Sequence, residues 1–295
     1  MLGKRELLTC AFTMLMNNIS TEKYSLRQAI DRTFIIAYQE DTTSLESMFI
    51  REQLPYEVLR QVEGEIPSDF SRSYGCLMNH CKAWRKIVAA GKAALIIEAD
   101  FVPVKGFADL PMPCDVMDSR TGVAWLYTCA SQLYSVTAAG FAEGFSVSTV
   151  AYIVTPNGAV GLLALAEQIR LTYGERSYSA WDSEVESFLR SRSLVCYIPF
   201  RNYGEHGGIP NPEHAQNRDR WKHFSRCHRA DRLYGELAFL PPYARNHWEL
   251  RQVRLYARVK GLGRLFLGKF LRWNVMRGSS FPLRLLGFAI RRQGL

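Results

Sequence analysis

Residues 72–102 of the chain read RSYGCLMNHCKAWRKIVAAGKAALIIEADFV, and this stretch predicts a helix, a turn and a buried strand. His80 and Trp84 stand four residues apart, the spacing of one helical face, and Gly91 is a residue type that commonly ends a helix. The apolar run 93–97 that follows is typical of a strand covered on both faces of a sheet. The stretch therefore favours an α/β fold.

Two carboxylates, Glu98 and Asp100, stand at the C-terminal end of the predicted strand. In an open α/β sheet this end of a strand is where ligands bind. Two acidic residues with one residue between them can hold a divalent cation through oxygen atoms, and the cation can in turn hold a diphosphate. The simpler interpretation is that both side chains only solvate the end of the strand.

The rest of the sequence favours the same fold class. A β-rich run at 33–38, a helical pattern at 45–53 and a strand at 56–59 form a βαβ unit. Further elements are predicted as strands at 122–127, 146–154 and 194–200 and a helix from Pro156 onward. We predict an α/β fold with a doubly wound, mostly parallel sheet.

The domain organisation follows from this pattern and from the charge distribution. We predict a lead-in at 1–32, one catalytic domain at 33–242 and a basic amphipathic helical tail at 243–295. The tail holds twelve Lys and Arg residues against one acid, Glu249, whereas the remaining residues hold 25 basic and 27 acidic side chains. The net charge of +9 therefore belongs to the tail alone.

A glycine-rich loop follows the strand predicted at 194–200. Its density of glycine and proline between 204 and 214 argues against the interior of a helix or strand. Glycines let a backbone approach a phosphate closely, and His206 can ligate a metal or donate to a diphosphate oxygen. A surface loop without a ligand is the alternative.

Several of these features together resemble the signature of the family 25 glycosyltransferases, the lipopolysaccharide-biosynthesis and collagen-galactosyltransferase group. The residues that carry the resemblance are Gly75, Cys76, His80, Trp84 and the Glu98–Asp100 strand end, with a second marker at 151–159. The loop Gly204–Gly208 also looks like that of bacterial members. Asn79 stands where the family has Ser, and Ala99 stands where it has Asp.

The resemblance implies a GT-A type fold and inverting transfer of a hexose such as galactose. The donor would be a nucleotide diphosphate sugar such as a UDP-sugar, and the acceptor a lipid-linked or lipopolysaccharide oligosaccharide. It also implies a manganese or magnesium ion, Mn²⁺ or Mg²⁺, as cofactor. The metal ligands would be Glu98, Asp100 and His206, and the nucleotide-sugar contacts His80, Gly204, Glu205 and Gly207.

Inverting transfer needs a carboxylate that takes the proton from the attacking hydroxyl. In the resembled family an Asp near residue 182 faces the acceptor, so Asp182 is the candidate base and Glu184 the second choice. The alternative is that Asp182 or Ser179 only caps the helix that follows.

The seven cysteines are scattered without a C-x-x-C pair, which argues against a disulfide framework and a zinc ribbon. Cys76 and Cys81 near His80 suggest a metal site, and so do His223, Cys227 and His228. We favour core packing for the first group and a solvated helix for the second. The cysteine pattern, and a leader-like segment at 7–16 that lacks a cleavage site, predict a cytoplasmic protein.

The tail carries an apolar stripe at helical spacing. Its members are Leu255, Val259, Leu262, Phe266, Phe270 and Trp273. Such a stripe flanked by cations is typical of a helix in the interface of an anionic membrane, so we predict a peripheral protein on the inner face of the membrane. Packing on the catalytic domain is the second interpretation and nucleic-acid binding the last. A rival function is a non-catalytic transferase fold, marked by Ala99, that binds membrane or nucleic acid through this tail.

Overall fold

The computed structural model describes residues 24–62, 64, 66–208 and 229–294. Three predicted features lie outside these residues, either wholly or in large part. They are the lead-in before residue 24, the loop residues 209–214 and the group His223, Cys227 and His228.

Within the described residues, the strands form one eight-stranded sheet and one two-stranded sheet. In chain order the strands are β1 (Thr33–Ala37), β2 (Tyr56–Arg60), β3 (Ala94–Glu98), β4 (Phe101–Pro103), β5 (Thr121–Trp125), β6 (Gln132–Val136), β7 (Ala142–Phe145), β8 (Ala151–Val154), β9 (Val195–Ile198) and β10 (Gly204–His206). The main sheet has the order β2-β1-β3-β8-β5-β9-β7-β6, and β4 pairs with β10.

Most strands of the main sheet point the same way. β1 is parallel to β2 and β3, and β5 is parallel to β9. β8 lies antiparallel between β3 and β5, and β7 lies antiparallel between β9 and β6. Only β7 and β8 are therefore reversed among the eight strands, and the predicted mostly parallel sheet is confirmed.

Helices cover both faces of the sheet. They are α1 (Leu26–Ala29), α2 (Thr43–Arg51), α3 (Arg72–Ala90), α4 (Pro156–Tyr173), α5 (Val185–Ser191), α6 (His247–Phe266), α7 (Trp273–Gly278) and α8 (Pro282–Gly294). Successive side chains of a strand point to opposite faces. Ile96 of β3 accordingly shares a core with Trp84 of α3, whereas Ile97 shares another core with Phe49 of α2. This arrangement confirms the doubly wound architecture.

The α3–β3 unit forms as its sequence predicts. Ser71 Oγ accepts a hydrogen bond from the backbone N of Tyr74 at 3.0 Å, a cap that stabilises a helix by about 1 kcal/mol. Gly91 ends α3 with φ of 64°, a left-handed conformation in which a Cβ would be strained. The chain then enters β3 and delivers Glu98 to the C-terminal edge of the sheet.

Some strand predictions were wrong. Only residues 151–154 of the predicted strand 146–154 are a strand, and β6 and β7 were not predicted at all. These two strands depend on close pairing, because a Cβ at Gly144 would lie 2.3 Å from the carbonyl oxygen of Gln132. Residues 204–206 of the predicted loop form β10, since β4 offers a partner edge that local sequence does not reveal.

The C-terminal helical region predicted from the sequence is present, and part of it packs on the sheet. Phe270, Leu285 and Phe288 belong to the same core as the inner side chains of β3 and β5. Arg292 of α8 is fully buried and forms an ion pair with Asp231 at 3.1 Å. Helix α8, which lies beyond the predicted stripe, therefore packs on the sheet.

The predicted apolar stripe, which runs along α6 and on to Trp273, is mostly exposed. Leu255, Val259, Phe266 and Trp273 are between 59% and 85% exposed, whereas Phe270 is buried. Intramolecular packing therefore does not account for most of the stripe. None of the described helices is long and apolar enough to cross a membrane.

Candidate active site

A chain of side-chain hydrogen bonds ends on Glu98 at the edge of β3. Trp84 Nε1 donates to Tyr152 Oη at 3.0 Å, and Tyr152 Oη lies 2.8 Å from His80 Nδ1. His80 Nε2 lies 3.2 Å from Glu98 Oε1. Tyr152 Oη accepts a hydrogen bond from Trp84, so its own proton is free to be donated to His80 Nδ1. With Nδ1 as an acceptor, His80 carries its proton on Nε2 and donates it to Glu98.

This network holds one oxygen of Glu98 and leaves the other open. Thr149 Oγ1 also donates to Glu98 Oε1, at 3.0 Å. Among the described residues none donates to Oε2, and the Glu98 side chain is 22% exposed. Glu98 is thus oriented by α3 and β8 while one carboxylate oxygen remains available to a ligand.

Asp182 lies in a short 3₁₀ turn, residues 181–183, beside this network. Trp181 anchors the turn, because its Nε1 donates to the carbonyl of Ser73 at 3.2 Å and its ring contacts His80 with centroids 5.4 Å apart. Burial, and then the charge of Glu98, raise the pKa of Asp182 to about 7. A carboxyl group with a pKa near neutrality is suited to exchange protons with a substrate hydroxyl.

The predicted capping role of Asp182 and Ser179 is wrong. Helix α5 begins at Val185, and its N-cap residue is Glu184, whose side chain makes no capping bond. Asp182 accepts instead from the backbone N of Ser183 at 2.9 Å. Glu184, the second candidate base, accepts from Tyr173 Oη at 3.0 Å and lines a groove between α4 and α5. The structure therefore favours Asp182 over Glu184.

Asp100 lies two residues beyond Glu98 in different surroundings. Asp100 Oδ2 is 2.9 Å from His206 Nε2, a contact made possible by the antiparallel pairing of β4 with β10. Burial opposes ionisation of both groups, yet their mutual attraction lowers the pKa of Asp100 and raises the pKa of His206. Arg229 adds to the lowering at Asp100. The pair is therefore ionic.

The other oxygen of Asp100, Oδ1, is buried without a hydrogen-bond partner among the described residues. Buried polar atoms are normally paired, so this oxygen is available to a ligand. Gly208 closes over the same carboxylate, since a Cβ at this position would lie 1.9 Å from Asp100 Oδ2. The backbone at Gly208 is thus shaped around Asp100.

These observations fit a divalent cation with oxygen ligands. Asp100 Oδ1 and Glu98 Oε2 are carboxylate oxygens without a described partner, and Mn²⁺ and Mg²⁺ prefer such ligands. The predicted third ligand, His206, is held by Asp100. The ligand atoms of Glu98, Asp100 and His206 do not form a group within 4.8 Å of one another, so a shared metal remains a prediction.

A different trio, Cys76, His80 and Glu98, does bring its ligand atoms within 4.8 Å. Its chemistry is less suitable for a metal. Both ring nitrogens of His80 are already in hydrogen bonds, and burial raises the pKa of the Cys76 thiol well above its usual value. Because the thiolate is the form that ligates, this site is poorly prepared for a cation.

The described part of the glycine-rich loop, residues 204–208, makes several contacts with the rest of the protein. Glu205 is fully buried and accepts from Arg254 at 2.5 Å and from the backbone N of Ala230 at 2.8 Å. A Cβ at Gly204 would lie 2.4 Å from the carbonyl of Val102, and Gly207 N donates to the carbonyl of Asp100 at 2.7 Å. Gly204, Glu205 and Gly207 therefore position His206, and their contact with a nucleotide sugar stays a prediction.

Sequence reasoning missed three residues that shape the site. Tyr152 was within a predicted strand. It stands two residues before Val154, so both side chains lie on the same face of the strand, and this spacing was the signal that Tyr152 faces α3. Trp181 and Arg229 had no such signal. Trp181 reaches α3, and Arg229 donates to the carbonyl oxygens of His206 and Gly208, only because distant segments meet.

Comparisons with known proteins find no match in sequence and a distant likeness in structure. The sequence matches no protein-family model and no curated protein. Among solved structures, the protein is similar to the crystal structure of a glycosyltransferase involved in the glycosylation of the major capsid of PBCV-1. The TM-score is 0.39 at 9% identity, over 58% of this chain and 82% of that chain. A likeness this distant identifies neither the fold family nor the reaction.

Proposed function

We propose that this protein is a glycosyltransferase that moves a sugar from a nucleotide diphosphate donor to a hydroxyl acceptor. The observation that carries the proposal is the position of Asp182 beside the His80 network that holds Glu98, because Trp181 contacts His80 and the pKa of Asp182 is raised to about 7. One carboxylate is oriented toward a ligand and the other is prepared to take up a proton near neutral pH.

In the proposed reaction, Asp182 accepts the proton of the acceptor hydroxyl as the acceptor oxygen attacks the anomeric carbon of the sugar. The bond between that carbon and the diphosphate oxygen breaks, and the diphosphate leaves with its electron pair. Attack from the side opposite the leaving group inverts the anomeric configuration. The His80 network keeps Glu98 in place, and Trp181 keeps the Asp182 turn in place.

Glu98 and Asp100 would hold a divalent cation, with His206 orienting Asp100. When bound, the cation neutralises charge that develops on the departing diphosphate. Mn²⁺ and Mg²⁺ suit the oxygen atoms of this site. A GT-A type domain, membership in the family 25 group, a UDP-hexose donor and a lipid-linked oligosaccharide acceptor are the finer parts of the proposal. They are supported by the sequence resemblance at 75–100, 151–159 and 204–208.

The exposed stripe supports a proposal on location. Leu255, Val259, Phe266 and Trp273 are exposed, and basic side chains such as Arg258 and Arg272 lie exposed nearby in the sequence. We propose that this part of the tail rests on an anionic membrane surface at the cytoplasmic face, where apolar side chains enter the interface and cations meet the headgroups. A lipid-linked acceptor would be presented at the same surface.

The experiment that tests the function measures thermal stability and sugar transfer with a panel of UDP-sugars, with and without Mn²⁺. We expect nucleotide stabilisation that depends on the metal, and transfer or slow hydrolysis of one donor. Binding to anionic vesicles without any metal-dependent nucleotide stabilisation would overturn the proposal. That result would point to the rival, a non-catalytic fold that uses its tail for binding.

A further inference from the structure

A second polar cleft lies beside the Asp100 and His206 pair, between the loop 128–131 and helix α6. Its basic lining residues are Arg229, Lys260 and Arg264. The described lining has one carboxylate, Asp231, which is already neutralised by the buried Arg292 at 3.1 Å and accepts from Gln293 at 2.6 Å. The cleft is therefore cationic on balance.

Arg229 is the central observation, because it is buried and forms no direct ion pair with a described carboxylate, although Asp100 lies near it. It is 7% exposed, and none of the described carboxylates forms an ion pair with it. Its guanidinium stacks on the ring of Tyr243, 3.7 Å from the centroid, and two of its nitrogens donate to backbone carbonyls. A buried guanidinium that is not directly ion-paired favours an anion as a further ligand.

Unpaired polar atoms surround this guanidinium. Arg229 Nε is buried and has no acceptor among the described residues, and the hydroxyls of Tyr127 and Tyr243 are likewise buried without a described partner. All three groups are donors. Among these groups it is Arg229 that lines the cleft, and its unpaired Nε donor favours an oxygen-rich anion there.

Arg264 supplies a second cation from α6. Its side chain donates to the carbonyl of Ser131 at 3.0 Å, which fixes it against the opposite wall of the cleft, and no described carboxylate pairs with it. Two guanidinium groups held by backbone carbonyls, with donor atoms to spare, match the several oxygens of a phosphate group.

We propose that the cleft between residues 128–131 and α6 is a phosphoryl-binding subsite in which Arg229 and Arg264 bind the oxygens of a phosphate or diphosphate. The inference deepens the proposed function, and its assignment to one substrate rests on that function. Two sources share the chemistry, the diphosphate of the sugar donor and a phosphate group carried by the acceptor. The presence of the anion site itself does not depend on sugar transfer.

The test is calorimetric titration of the full-length protein with inorganic pyrophosphate in the absence of metal. Arg264→Gln should weaken pyrophosphate binding about 10- to 100-fold, because a charge-assisted hydrogen bond is lost. Arg229→Gln should weaken it at least as much. Arg251→Gln, on the exposed side of the same helix, is the matched control and should bind as the unmodified protein does.

Arg264→Gln guards against misfolding of the more buried variant, because Arg264 is only partly buried, and a cooperative thermal unfolding transition shows that this variant is folded. The proposal is overturned if folded Arg264→Gln binds pyrophosphate as tightly as the unmodified protein, or if Arg251→Gln loses affinity equally. UDP and a phosphorylated sugar then distinguish the sources, because only the ligand that uses the cleft loses affinity in Arg264→Gln. Intact pyrophosphate binding without any sugar transfer would reject the proposed function but not this site.

Discussion

Glu98 and Asp100 are separated by one residue, yet they lie in opposite electrostatic surroundings. Glu98 receives hydrogen bonds from His80 and Thr149 and interacts with the charge of a second carboxyl group, Asp182. Asp100 lies among cations, with His206 in contact and Arg229 close by. The two carboxylates at the end of one strand thus have different surroundings, with a second carboxyl group near Glu98 and cationic side chains near Asp100.

The difference arises from where each residue lies relative to the end of β3. Glu98 is the last residue of β3 and remains between α3 and β8, whereas Asp100 precedes β4 and is drawn toward β10. Two carboxylates that look equivalent in the sequence therefore have different neighbours, although both would hold the proposed cation. The following experiments test this difference, and the largest expected effect comes first.

Asp182→Asn should lower the turnover number of sugar transfer by about 10²- to 10⁴-fold with little change in donor affinity, because a general base is lost while the pocket keeps its shape. Steady-state kinetics with the active donor would measure this. Asp109→Asn, an exposed carboxylate that pairs with Arg27, is the matched control and should keep full activity. If Glu184→Gln is the inactive variant and Asp182→Asn is not, the assignment of the base is wrong.

Glu98→Gln and Asp100→Asn should each remove the metal-dependent part of nucleotide stabilisation. At ligand concentrations about 100 times the dissociation constant, that stabilisation reaches about 2.7 kcal/mol, a shift of several degrees in Tm. Thermal unfolding with UDP, with and without Mn²⁺, provides the measurement. Retention of the full shift in both variants would refute the cation site at this strand end.

Replacing Val259 and Phe266 together by Ser should release the protein from vesicles that contain phosphatidylglycerol, with binding weakened about 10- to 100-fold. These side chains are 59% and 85% exposed, so the fold should not change. Val160→Ser, an exposed apolar position on α4, serves as the control in the same flotation assay. Unchanged flotation of the double variant would exclude the stripe as the membrane contact.

The smallest effect concerns stability and pH. The pKa of Asp182 in the folded protein is raised to about 7 from 3.8, so its stabilising contribution is complete below about pH 4 and is lost as the pH rises through 7. The stability of Asp182→Asn relative to that of the unmodified protein should therefore be higher at pH 8 than at pH 5. Glu98→Gln should move this pH dependence to lower pH. If the pKa of Asp182 is not raised, thermal unfolding across pH 5–9 should show the same loss of stability in the unmodified protein, Asp182→Asn and Glu98→Gln.

Local patterns predicted much of the fold. The helix spacing of α3, the stop at Gly91 and the apolar runs of β1 and β3 all form as predicted, because each depends on neighbours within a few residues. The prediction was less successful for β6, β7 and β10, which are short and polar. These strands exist because partner edges lie beside them, and a partner edge has no local signature.

The candidate site likewise has features that the sequence predicts and features that it does not. Its carboxylates could be selected from the sequence, since Glu98 and Asp100 follow a covered strand and Asp182 precedes a helical pattern. Their roles could not be assigned in the same way. The burial that raises the pKa of Asp182 and the proximity of Arg229 to Asp100 come from segments tens of residues away.

Composition and periodicity therefore determine the fold class, the covered strand with its two acids and the basic character of the C-terminal region. They do so because backbone propensity and side-chain alternation act over short distances. Tertiary structure alone decides that Glu205 is a buried anchor, that Arg292 lies in the core while Phe266 faces solvent, and that Arg229 reaches the site. Burial and charge proximity are properties of the packed molecule, and no single stretch of the chain contains them.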